Sequence, residues 1–184
     1  MGSPVVVSGD NPGMTLYDGD RRVAVVSYWN VELSAAGVGH ALVAWTDRGG
    51  AFVLTDAPAV ATFVVERLTR HFPEFEGIDL SEADQLEARF AAELGPGGLA
   101  VRASGSREVE ARWSEPMTAR LVRWPGFELG EDRLDLTLTL LPCRDAQLSV
   151  DGTPLAGSPR VEELGERPRS SAFIALAETW TDPA

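Results

Sequence analysis

The amino-acid sequence predicts an α+β domain, a curved antiparallel β-sheet or partial barrel covered by two central helices. Three observations lead there. Leu134, Leu136, Leu138 and Leu140 alternate with Asp135, Thr137 and Thr139, and the run ends at Asp151-Gly152, the period and turn of an antiparallel hairpin. The same period recurs at Val23, Val25, Trp29, Val31 and Leu33, and again at Val109, Ala111 and Trp113. Between these strand-rich parts lie two stretches with apolar residues at helical spacing. Strands drawn from both halves of the chain into one sheet make residues 1–184 a single domain.

The elements follow in order. Gly9-Asp10-Asn11-Pro12-Gly13 and Asp18-Gly19-Asp20 are turn clusters with a short strand, Met14 to Tyr17, between them. Val23 to Leu33 is a strand whose apolar face carries one polar residue, Ser27. Ala36-Gly37-Val38-Gly39 interrupts the chain, His40 to Asp47 resumes it, and Arg48-Gly49-Gly50 turns it into Ala51 to Thr55, a β-meander. Asp56 caps a helix with Pro58 in its first turn and Val60, Phe63, Val64 and Leu68 as its buried stripe, ending near His71 before Phe72-Pro73. Ser81 with Asp84 resembles a capping box for a second helix, with Ala83, Leu86, Phe90 and Leu94 as its stripe and Gly95-Pro96 as its stop. Val109 to Trp113 and Ala119 to Trp124 are strands, the latter ended by Pro125-Gly126. Ala156 to Arg169 is an exposed loop, and Ser171 to Trp180 fits a covered strand better than a helix because apolar residues occupy both faces.

Composition narrows the function. A chain of 184 residues with 44% hydrophobic and 24% charged residues buries enough surface to fold without a metal or disulfide staple. All 16 positive charges are arginine, which removes lysine Schiff bases and P-loop lysines from consideration. Twenty-eight carboxylates leave a net charge of -12, which repels phosphate and disfavours nucleic acid and anionic membrane as partners. A single cysteine, the absence of a signal-like N-terminus and the lack of any apolar run near about 18 residues lead us to expect a cytoplasmic protein.

Sequence motifs for phosphate, dinucleotide, zinc or serine-nucleophile chemistry are absent, so no cofactor and no metal is expected. Asp18 and Asp20 lack the further ligands a calcium loop needs, and His71 sits where a helix end accounts for it. Three residues remain as catalytic candidates. His40 opens a strand after a glycine-bearing loop, where an acid or base could face a pocket mouth. Cys143 lies beside Arg144, which could lower its pKa. Glu178 falls in line with Ile174, Leu176 and Trp180, and a carboxylate on an apolar face needs a partner or a raised pKa. Of five tryptophans, Trp29, Trp45 and Trp113 are the candidates for lining a ligand pocket.

The leading expectation is a binding module that holds a small apolar or aromatic molecule between sheet and helices. The second is a metal-independent enzyme using His40, Cys143 or Glu178 on such a molecule. The third is a homodimeric interaction or scaffold protein.

Overall fold

The computed structural model describes residues 4–163 and 167–183. Strands account for 65% of the described residues and helical residues for 9%, so the layers are sheets. In chain order the elements are β1 (Val5–Asp10), β2 (Gly13–Asp18), β3 (Arg21–Ser34), β4 (Gly39–Thr46), β5 (Gly50–Thr55), α1 (Pro58–Arg67), β6 (Asp84–Gly95), β7 (Gly98–Gly105) and β8 (Glu108–Pro116). They continue with β9 (Arg120–Leu129), β10 (Asp132–Val150), β11 (Thr153–Pro154), β12 (Val161–Glu162), β13 (Arg169–Ser170) and β14 (Ala172–Thr181). Two short 3-10 turns, Thr69–His71 and Pro73–Phe75, follow α1. None of the helices described is long and apolar enough to cross a membrane.

Hydrogen-bonded neighbours run β14-β2-β3-β4-β5-β6-β7-β8-β10, and β10 pairs with β14, so the ladder returns to its start as a barrel. Every strand of this ring sends side chains inward. Met14 and Leu16, Ala24, Val26 and Tyr28, Leu42, Phe52 and Leu54, Ala88, Val101, Trp113, Cys143, Leu148 and Ile174 make one core. The Trp113 indole N–H donates to the Gly13 carbonyl at 2.8 Å, tying β8 across the interior to the start of β2. Closure removes the exposed edges that an open sheet of this length would carry.

β3 and β4 are buried on both faces, and a second core lies on their outer side. Val25, Trp29, Val43 and Val53 meet Val60 and Val64 of α1 and Leu68 just after it, with Leu134, Leu136, Leu138 and Trp180 on the far side. β10 makes this possible by serving two neighbourhoods. Its first half pairs with β9 and β14 and its second half with β8. β1 completes the outer wall by pairing with both β14 and β3. The hairpin expected at Asp151-Gly152 forms, with Val150 opposite Thr153 and positive φ at both turn residues (51° and 76°), the geometry of a two-residue primed turn.

The expected α+β class, with an antiparallel sheet covered by two central helices, is overturned. The sheet is mixed and one short helix packs on it. Ser81 to Leu94, read as the second helix, lies largely in β6, paired in parallel with β5 and antiparallel with β7. Its apolar residues fit helical spacing, but Leu86, Ala88 and Phe90 also alternate with Glu87 and Arg89, and short apolar runs satisfy both periods. Pairing on both sides decided between them. Leu94, the last residue of the supposed stripe, is 55% exposed, and Gly95-Pro96-Gly97-Gly98 is a hairpin turn with Gly95 opposite Gly98.

Smaller departures have similar causes. α1 keeps Pro58 in its first turn but ends at Arg67, and its N-cap is Ala57 without a side-chain cap, because Asp56 is engaged with His40. α1 and the 3-10 turns form the crossover that a parallel β5–β6 pair demands. Pro125-Gly126 does not end β9. The register slips there, between Leu134 and Leu136 of β10, and the freed Gly126 N–H donates to Asp135 Oδ1 at 2.8 Å.

Gly98 has φ 132° and its missing side chain leaves room for the Trp113 carbonyl. A Gly98→Ala variant should therefore lose about 3 kcal/mol or more in denaturant unfolding, whereas Gly97→Ala, which meets nothing, should lose much less. Equal losses would show that the close approach of β7 to β8 is not what the glycine serves.

Candidate functional site

β9, the first half of β10 and the end of β14 stand opposite the 3-10 segment, and a cavity of about 670 Å³ lies between them. Leu136, Leu138 and Leu140 line one wall, Trp124 and Phe127 the next, and Trp180 and Phe173 a third, with Phe72 to Phe75 closing over. The even-numbered leucines of the ladder thus face this cavity and the outer core, while Cys143 and Leu148 further along β10 face the barrel interior.

The polar groups gather at Asn11, Ser27 and Glu178. Glu178 is 4% exposed. Its Oε1 accepts the Trp180 indole N–H at 2.6 Å and the Asn11 Nδ2 at 3.2 Å, and the Ser27 hydroxyl donates to Asn11 Oδ1 at 2.7 Å. Oε2 has no hydrogen-bond partner among the described residues, and Glu178 lines the cavity. Burial pushes its pKa up to about 7, with the indole and amide hydrogen bonds opposing and the charges of Glu74 and Asp10 adding to the rise. Glu74, on the second 3-10 turn and in the same cavity, is also raised by burial.

A β-bulge positions the carboxyl. Thr137 faces Thr179 but Thr139 faces Leu176, so two residues, Ala177 and Glu178, oppose one on β10. Ala177 takes φ 50°, and its N–H leaves the ladder to donate to Asp10 Oδ1 at 2.9 Å. Before the bulge, Ile174 and Leu176 face the barrel interior; after it, Trp180 faces the outer core. Glu178 therefore shares a face with Trp180 and not with Ile174 and Leu176. Without the inserted residue it would point into the barrel.

The other two catalytic candidates lie elsewhere. His40 donates or accepts through Nδ1 with Asp56 Oδ2 at 2.6 Å, while its backbone N–H donates to Asp56 Oδ1. Its ring stacks on Tyr28 and Phe90 at 6.1 and 5.2 Å. Cys143 is fully buried in the barrel, and burial raises its thiol to about 11, the opposite of an activated nucleophile. Neither lines the Glu178 cavity, so the structure brings no two of the three together. Among the described residues no group of three or more His, Cys, Asp or Glu is placed to hold a metal ion.

The tryptophans divide likewise. Trp113 fills the barrel, and Trp45 lies under the Arg22 guanidinium at 5.4 Å. Trp29 is buried and donates to Thr69 Oγ1 at 3.0 Å. None of these lines the cavity; Trp124 and Trp180 do. Trp29 reaches it through one ring, stacked on Phe72 at 6.2 Å, and Phe72 stacks on Trp180 at 6.0 Å. The sequence did carry a signal for the polar end of the site: Ser27, alone among apolar neighbours, needed a buried partner, and Asn11 is it.

Because the folded pKa of Glu178 lies above its unfolded value of roughly 4.3, ionising it costs stability. That contribution is intact below about pH 4 and is lost as pH rises to about 7. Glu178→Gln keeps the acceptor for Trp180 and Asn11, so it should be more stable than the wild type at pH 8 by about 3 kcal/mol. The gap should close towards pH 4. A gap that does not change with pH would show that the carboxyl titrates normally.

No protein-family model matches the chain, and no curated protein sequence matches it.

Proposed function

We propose that this chain is a binding module for a small apolar or aromatic molecule, held in the cavity between the β9-β10-β14 wall and the 3-10 segment. The observation that carries the reading is the cavity itself: about 670 Å³, walled by leucine and aromatic side chains, with one buried carboxyl presenting an unpartnered oxygen. Ligand sites are typically of this size, mostly apolar, with few polar groups that fix orientation. A purely structural core at this place would be filled. The half-exposed Trp124, at 55%, gives the cavity a rim that a ligand can displace.

A second reading rests on Glu178. A carboxyl that titrates near neutrality inside an apolar cavity has the property a general acid or base needs, and its free Oε2 is the atom that would exchange the proton. The bound molecule would then be a substrate. Conversion of a bound compound, lost in Glu178→Gln while binding persists, separates this reading from simple binding.

A thermal-shift screen of apolar and aromatic metabolites should find compounds that stabilise the protein, by about 2.7 kcal/mol at one hundred times their Kd. Trp124→Ala should weaken such binding about tenfold while leaving the unliganded melting temperature nearly unchanged, since the ring is half in water. A screen without hits, or hits indifferent to Trp124, would remove this cavity as the binding site.

A further inference from the structure

We propose that the molecule bound in this cavity is an organic cation, a protonated amine on an apolar or aromatic body, with its N–H groups donated to Glu178 Oε2. The inference rests on reading the cavity as a ligand site and adds the chemical class.

Charge is the first ground. Glu74, Glu128 and Glu178 line the cavity, and no Arg or His is among its lining residues. Arg22 donates to the backbone carbonyls of Glu74 and Glu76, at 3.0 and 3.1 Å, and makes no ion pair with a carboxylate of the cavity; of the three, Glu128 is paired, with the exposed Arg133. The charged groups that act on Glu178 are both acidic, Glu74 from the 3-10 turn and Asp10 from β1, beside the neutral donors Trp180 and Asn11. An anionic ligand would meet Glu74 and Glu178, no cation among the lining residues, and a chain of net charge -12. An ammonium group would meet an acceptor with no other partner.

The rings are the second ground. Trp180 lies 5.2 Å from Phe127 and 6.0 Å from Phe72, and Phe127 lies 5.0 Å from Trp124. Several aromatic rings gathered round a buried carboxylate are how proteins hold organic cations, since the ring faces are electron-rich and attract charge without the desolvation cost of a second ion. The Trp180 N–H is spent on Glu178 Oε1, so that indole has no donor left for a ligand. Donors on the ligand side are therefore what the site lacks.

The test uses two series of matched probes on the full chain by titration calorimetry: phenethylamine, 2-phenylethanol and phenylacetate, and tryptamine, tryptophol and indole-3-acetate. At pH 8 the amines are expected to bind at least tenfold more tightly than the alcohols, and the acids not measurably. Between pH 6 and pH 8 amine affinity should rise about tenfold as Glu178 ionises, and alcohol affinity should stay level. In Glu178→Gln the amine should lose its advantage and its pH dependence, while the alcohols still bind. Alcohols binding as well as amines, acids binding best, or an amine preference that survives in Glu178→Gln would each overturn the cation assignment and leave the ligand site standing. If no probe of either series binds, both readings fall together. Should the variant not fold, the pH arm on the wild-type protein decides alone.

Discussion

β14 closes the molecule. Without it β2 and β10 would face each other as unpaired edges, and the long ladder from β2 to β10 would be an open sheet with its apolar inner face exposed at the seam. β14 pairs with β2 at Gly13 and Met14, and with β10 from Asp135 to Pro142. It then extends past the barrel to pair with β1. One strand thus seals the interior core and forms a wall of the outer one. Such closure joins segments distant in sequence, and loop-closure entropy makes that slow and cooperative.

The bulge at Ala177 is where this structural strand acquires chemistry. A non-glycine residue in the left-handed region costs about 1–2 kcal/mol, and burying a carboxyl whose pKa rises to about 7 adds a further cost at neutral pH. Neither is needed to close the barrel. An alanine out of its preferred backbone region, an aspartate, Asp10, holding its N–H, and Glu178 turned towards an apolar cavity form one arrangement. Strain and perturbed titration gathered at one place characterise functional sites, and the two costs set what a bound partner could recover.

Much of the strand structure was legible because it had one reading. The leucine ladder, the Asp-Gly hairpin and the β-meander of Val23 to Thr55 have clean period-two patterns, so local chemistry and tertiary pairing agree. β6 was not legible, because alanine, glutamate and leucine favour helix while Leu86, Ala88 and Phe90 also suit a strand. Its neighbours β5 and β7 decided the outcome, and no local signal records them. Glu178 stood out in the sequence for its apolar company, but the company proved to be different. A bulge changes which side chains share a face, and Ala177 gives no sign of one. The tryptophans were visible as a set, yet what separates Trp124 and Trp180 from Trp29, Trp45 and Trp113 is their place around a cavity formed by elements far apart in the chain.

The most direct measurement is the titration of the Glu178 side-chain carboxyl carbon by NMR, assigned by comparison with Glu178→Gln, in the protein without ligand. A midpoint near 7 is expected from a carboxyl buried at the wall of an apolar cavity with Glu74 and Asp10 acting on it. A midpoint near the ordinary glutamate value, roughly 4.3, would mean that the group is solvated or paired, and that the bulge does not deliver it to the cavity as a buried acceptor.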